Sequence, residues 1–244
     1  MESVVVIDRR FNGPPDSANG GYAAGLLGQV LPGAVEVTLR APPPLGTPLR
    51  VVVTEGDATL LPPEGDGIVA EARTSALDGV EPPVSPDVDA ADRAAARHPG
   101  RGLRHTLSDC VVCGPERPDG FRLSTGPLDG AEDVGAAVFR PDASLATTDG
   151  VLPAEVLWAA LDCPSFTPGM WRAYLGAGAL TLLGRLTVLL ERPVAVTETL
   201  VAVGWDLTEP DGGRKHHTAS ALLTPSGEVV GRSRATWIRL RSSS

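Results

Sequence analysis

The stretch SANGGYAAGLLGQVL (Ser17 to Leu31) is rich in glycine, yet it places Tyr22, Leu26, Leu27, Val30 and Leu31 at helical spacing on one side. It reads as a helix that begins at Asn-Gly-Gly, with Ser17 or Asn19 capping the free N–H groups of its first turn. Glycine lets another group approach those N–H groups closely, and a bare helix N-terminus favours negative charge. The partner for that end has to be sought elsewhere in the chain.

A second apolar helix, LPAEVLWAALDC (Leu152 to Cys163), sits in a segment built on the same plan. In the first segment SVVVIDRRF reads as a strand, the Asn-Gly-Gly helix follows, and AVEVTLRA, PLRVVVTEGDATLL and GIVAEARTSAL read as three more strands between Pro- and Gly-rich turns. In the second, FRLSTGPL and VGAAVFRP precede the helix, while LTLLGRLTVLLERPV, ETLVAVGWDLTE, HTASALLTPSG and EVVGRSRATWIRL follow it. Each half is strand, buried helix, then a run of antiparallel strands: an α+β pattern used twice. Between them EPPVSPDVDAADRAAARHPGRG is proline-rich, polar and alanine-rich, and reads as a linker with room for one short helix. The expected division is residues 1–80, a linker over 81–107, and residues 108–244.

With 244 residues and 42% hydrophobic content the chain can bury a full core. A net charge of -9 argues against a nucleic-acid partner, which needs a basic face to neutralise phosphates. No run approaches the roughly 18 consecutive apolar residues of a membrane span, and Met-Glu-Ser does not open a signal peptide. Three cysteines, an odd number, fit reduced thiols better than a disulfide framework. A cytoplasmic protein is expected.

One central helix wrapped by a curved antiparallel sheet is the hotdog architecture, and two such units in one chain make a double hotdog. CVVCGPERPDGFRL (Cys110 to Leu123) resembles the Cys-x-x-Cys-Gly-x-x-x-Pro-x-Gly-x-x-Leu opening of hotdog thioesterases of the phenylacetic-acid-pathway type. NGGYAAGLLGQVL is similar to the Gly-Gly helix start in the first half of the bacterial double-hotdog acyl-CoA thioesterases. The layout, with LERPV after the second helix and ATWIRL near the end, resembles the actinobacterial thioesterase-like proteins. The resemblance implies an enzyme that hydrolyses an acyl-CoA thioester, with coenzyme A as part of the substrate and no metal or other cofactor.

It also implies where the chemistry sits. In the single-hotdog thioesterases the pattern His-Gly-Gly-x-x-x-x-Leu-x-Asp puts a helix start and a carboxylate on one helix, but the working site is composite. One subunit's helix start binds the thioester oxygen, and the partner's Asp attacks the carbonyl carbon or activates the water that does. Here Asn19, Gly20 and Gly21 match the helix start, but nine residues after Asn19 stands Gly28. Asp162 matches the carboxylate, but nine residues before it stands Pro153, followed by Ala154 and Glu155. One half keeps the oxyanion end and the other keeps the acid, so a two-fold pseudo-dimer would hold one composite site between its halves. On this reading the N–H groups of Gly20 and Gly21 receive the thioester oxygen and Asp162 is base or nucleophile. The competing reading makes the glycines a packing device and Asp162 a helix terminator.

The double-hotdog enzymes add Thr and Gln partners around the catalytic water, and here Leu183 and Ala235 fall nearest those places, with Thr181 and Thr187 close by. Asn12, Asn19, Ser165 and Thr167 are then the candidates to hold the water. Trp158, four residues before Asp162, is a candidate wall of an acyl pocket or ordinary core. Arg214 and Lys215, in DGGRKHHTAS, are candidates for the phosphates of coenzyme A or a solvated turn. The insert TPGMWRAYLGAGALTLLGR could cover an acyl chain or a subunit interface. His105, Cys110 and Cys113 invite a zinc reading, with Cys163 or His98 needed from afar, against the plainer reading of a structural turn. Two other functions stay open: a non-catalytic acyl-CoA or lipid-binding module, and an acyl-CoA hydratase or dehydratase, which would need a histidine in the site. The expected state is monomer or homodimer.

Overall fold

A computed structural model describes residues 1–65, 67–115, 117–177, 180–208 and 213–240. The strand-forming runs of the first half become β1 (Glu2–Val6), β2 (Val35–Leu39), β3 (Pro48–Val53), β4 (Asp57–Leu61) and β5 (Ala70–Thr74) around helix α1 (Gly20–Gly28). The segment after them carries α2 (Val88–Ala96). The second half supplies β6 (Gly126–Leu128), β7 (Ala131–Phe139), α3 (Ala154–Asp162), α4 (Pro168–Ala177), β8 (Thr181–Leu190), β9 (Leu200–Asp206), β10 (Lys215–Leu223) and β11 (Val229–Arg239).

All these strands join one sheet in the order β1-β3-β4-β5-β2-β8-β11-β10-β9-β7-β6. Read outward from its middle, the order is the same on both sides, with β7, β8, β9, β10 and β11 standing where β1, β2, β3, β4 and β5 stand in the first half. The two halves meet in the antiparallel β2–β8 pair, from Val35 opposite Val188 to Thr38 opposite Arg185. A pseudo-two-fold axis thus runs between those strands, and β6 is added at the far edge of the second half. This is the double-hotdog α+β architecture the sequence implied.

The central helices α1 and α3 lie side by side and antiparallel. A Cβ at Gly21 would overlap the Asp162 Cβ and lie 2.8 Å from the Trp158 carbonyl oxygen. One at Gly28 would lie 2.5 Å from the Trp158 ring. The glycines therefore do serve helix packing: without side chains, α1 comes close enough to α3 for backbone and side-chain atoms to touch. Leu27, Leu157 and Leu161 fill the remaining space between helices and sheet and are fully or almost fully buried, each side chain contributing about 1.5–3 kcal/mol.

Several expectations are corrected. The single strand read in PLRVVVTEGDATLL is a hairpin, because Gly56 takes φ +79° and turns the chain between β3 and β4. FRLSTGPL is strand only at its end. The preceding turns pair with the first half instead, through Val111 N–H to the Asn12 carbonyl at 2.9 Å. Helix α1 stops at Gly28, leaving Val30 exposed, and it is buried almost all round rather than on one side because sheet and α3 enclose it. The insert after α3 folds as α4. Within 81–107, Asp87 caps α2 by accepting from Ala90 N–H at 2.7 Å. Ala91 and Ala94 then pack with Val138, Val203 and Trp205 in a second apolar cluster.

Candidate active site

The helix start at Asn-Gly-Gly meets the far end of α3. Asn19 is the cap: its side-chain oxygen accepts from Tyr22 N–H at 2.9 Å. Its amide then donates to Asp162 Oδ2 at 3.1 Å, and Gly21 N–H donates to the same oxygen at 2.8 Å. Asn19, Gly21 and Asp162, which the spacing assigned to different halves, therefore touch directly. The role expected of Gly21 needs revision, because its N–H already holds the carboxylate. Gly20 N–H has no partner among the described residues, and Gly20 lines the adjoining cavity.

Asp162 is 2% exposed, and its Oδ1 is buried without a hydrogen-bond partner among the described residues. Burial raises its pKa to about 7, opposed by the Gly21 N–H, reinforced by the nearby Cys110 sulfur and opposed again by the Asn19 amide. A carboxyl group balanced near neutrality, with one oxygen anchored and the other free, has the properties of a general base.

The cavity beside it measures about 530 Å³. Leu39, Pro43, Leu180, Leu182, Leu183 and Ile238 give it mostly apolar walls, as suits an acyl group. Trp237 also lines it, and its indole N–H donates to Ser165 Oγ at 3.0 Å, which in turn donates to the Asp162 carbonyl at 2.7 Å. Ser165 thus ties the end of α3 to a cavity wall. Thr181 lines the cavity and Thr187 does not. Ala235 is fully buried in β11 opposite Leu186.

Cys110, Cys113 and Cys163 complete the wall next to Asp162. Their sulfur atoms all lie within 4.8 Å of one another, with Cys110 and Cys163 at 3.8 Å. Hydrogen bonds from the thiols of Cys113 and Cys163 pull the Cys110 pKa down, while the same contacts push those of Cys113 and Cys163 up. The histidines do not join them. His98 and His105 each accept a backbone N–H on Nδ1, from Gly100 and Leu107, and pack their rings against Trp171.

The remaining candidates are placed elsewhere. Asn12 is buried behind the cavity, donating to the Asp109 carbonyl at 3.0 Å and accepting from Arg117. It steadies the turn that carries Cys110 and does not line the cavity. Trp158 is core: it lies across Gly25 and Gly28 and is not among the residues lining this cavity. Thr167 donates to Asp206 at 3.1 Å and receives Met170 N–H, which makes it an anchor of α4. Arg214 and Lys215 are exposed, but Arg214 bonds the Arg239 carbonyl at 3.1 Å, between the cavity residues Ile238 and Leu240. The sequence reading missed the wall formed by residues 39–43, while the wall at 180–184 lies in the insert it named as a possible cover for an acyl chain.

Fold and site together define a double-hotdog protein with one helix-start–carboxylate pair. Solved structures with this fold cover nearly all of the chain. The Mycobacterium avium tesB protein matches at TM-score 0.60 and 17% identity, over 98% of this chain and 93% of that one. A hot dog fold protein of unknown function from Alicyclobacillus acidocaldarius matches at TM-score 0.54 and 13% identity, over 99% and 94%. The acyl-CoA thioesterase II TesB2 of Mycobacterium marinum matches at TM-score 0.52 and 14% identity, over the same 99% and 94%. No protein-family model and no curated protein matches the sequence. The chain thus has the fold of the double-hotdog, thioesterase-like proteins. Among the described residues, no helix is long and apolar enough to cross a membrane.

Proposed function

We propose that the protein hydrolyses an acyl-CoA thioester at the Asp162 end of the helix pair. The observation that carries this reading is the buried Asp162 carboxylate, anchored by the other half's helix start and bordering an apolar cavity of about 530 Å³. The acyl chain lies against Leu39, Leu182, Leu183 and Ile238, with the thioester carbonyl toward Gly20. Asp162 Oδ1 takes a proton from water, the resulting hydroxide adds to the carbonyl carbon, and Gly20 N–H receives the developing oxyanion. When the intermediate collapses the carbon–sulfur bond breaks, and the proton held by Asp162 passes to the departing coenzyme A sulfur. Asn19 and Gly21 keep the carboxylate aimed throughout. Arg214 and Lys215, beside the strand end that lines the cavity, receive the phosphates of coenzyme A.

Thiol release from a panel of short, long and aromatic acyl-CoAs, by wild type and Asp162→Asn, tests this. Turnover by the wild type and its loss in the variant are expected. Tight acyl-CoA binding without turnover would instead support a non-catalytic acyl-CoA-binding module, the reading favoured by the apolar Ala235 and Leu183 at the places of the water-holding Gln and Thr. A hydratase reading finds no support, since no histidine is among the described lining residues.

A further inference from the structure

We propose that Cys110, Cys113 and Cys163 bind a zinc ion, held by three thiolates with its fourth position toward the cavity. Nothing in the hydrolysis proposed above uses these thiols. Cys110 and Cys113 form a Cys-x2-Cys knuckle on a tight turn, closed by Gly114 N–H to the Cys110 carbonyl at 2.9 Å. Cys163 follows Asp162 at the end of α3, so a site there would clamp this turn to the central helix. Three soft sulfur donors in one place suit a thiophilic d10 cation, and Zn²⁺ is the common one.

The spacing fits. Zn–S bonds of about 2.3 Å in tetrahedral geometry put sulfur atoms about 3.8 Å apart, and Cys110 and Cys163 stand 3.8 Å apart with Cys113 inside the same 4.8 Å cluster. The surroundings fit as well. Hydrogen bonding from the Val112 and Cys113 backbone helps to hold the Cys110 pKa below its ordinary value. The Asn19 amide lies 3.7 Å from the Cys163 sulfur and 4.0 Å from that of Cys110. These donors would stabilise thiolate charge around a cation. All three thiols are buried, yet all border the cavity, which gives an ion a way in and a solvent molecule a place as fourth ligand.

The experiment uses the full chain, purified under reducing conditions without chelator. Metal content is measured by mass spectrometry after incubation with Zn²⁺ and desalting, and affinity by competition with a chromophoric chelator. About one equivalent per chain is expected, with an affinity loss of more than about 100-fold in Cys110→Ser and in Cys163→Ser, beyond what second-shell changes produce. Replacing zinc with Co²⁺ should give the sulfur-to-metal charge-transfer band and tetrahedral visible spectrum of a thiolate site, which needs no variant to fold. Wild-type protein that retains no zinc and shows no such band would overturn the proposal. So would zinc retained undiminished by both serine variants, or a Cys110–Cys163 disulfide as the resident state of the reduced preparation. Metal content and cobalt spectrum are read without substrate, so they stand or fall separately from hydrolysis.

Discussion

The two ends of the α1–α3 pair are related by the pseudo-dyad, yet they have become different things. At one end Asn19 and Gly21 of α1 hold Asp162 of α3, beside a cavity. At the other, Pro153 precedes α3 and gives it no side-chain cap, and the position on α1 that would carry the second carboxylate is Gly28. There the Trp158 ring lies against Gly28, and Trp158 is 3% exposed. On the proposed reading the same helix pairing serves chemistry at one end and packing at the other. A duplicated fold need only keep one of its two clefts, and the lost one becomes a place to bury an aromatic ring.

The sharpest way to break this comparison is to remove one acid from each end. Asp162→Asn should lower thiol release about 10²–10⁴-fold, the usual weight of a general base. Glu155→Gln should leave it unchanged, although Glu155 is also held above its ordinary carboxylate pKa, chiefly by burial. Equal losses would mean that the two ends are not functionally distinct.

A second contrast uses the glycines. Gly21→Ala and Gly28→Ala each force a methyl into the helix contact and should cost about 1–3 kcal/mol of stability, read from denaturant midpoints. Only Gly21→Ala should also depress turnover, since it displaces the group that anchors Asp162.

Asn19→Ala removes both a helix cap and a donor to the carboxylate. The cap is worth about 0.5–2 kcal/mol. Because the amide lowers the Asp162 pKa, its loss should move the midpoint of the pH–rate profile upward, a shift that a purely structural change would not cause.

The last contrast is in stability itself. The folded-state pKa of Asp162, about 7, lies above its ordinary 3.8, so between those values the folded chain binds more protons than the unfolded one. Stability relative to Asp162→Asn should therefore fall as pH rises from about 4 through about 7 and level off above that. Thermal melts of the pair across that range check the sign, and a difference that grows in the wild type's favour would contradict it.

Much of this was legible from local pattern. Apolar spacing located both central helices, and laying the pattern of the hotdog thioesterases the chain resembles on its two halves singled out Asn19, Gly20, Gly21 and Asp162. The packing role of the glycines and the site role were read as alternatives: the missing Cβ of Gly21 lets α3 approach, and its N–H then reaches the Asp162 carboxylate where a thioester oxygen was expected. Trp158 and Thr167 were less legible. A tryptophan four residues from an Asp shares its helix face, but which neighbour fills the space beside that face depends on α1. Likewise Thr167 sits near the site in sequence, while its partner Asp206 comes from β9.

The sequence alone determined the repeated half-plan and the helix start, because these depend on periodicity and short spacings, and its resemblance to the hotdog thioesterases pointed to the single matching acid. Only the tertiary structure decided that Gly21 N–H is taken by Asp162, that residues 39–43 and 180–184 wall the cavity, and that Cys163 joins the Cys110–Cys113 knuckle while the histidines turn to Trp171. Those contacts join residues as far as 143 positions apart, as between Asn19 and Asp162. They follow from how the two halves of one sheet meet at β2 and β8 and bring two antiparallel helices into contact, which no local spacing encodes.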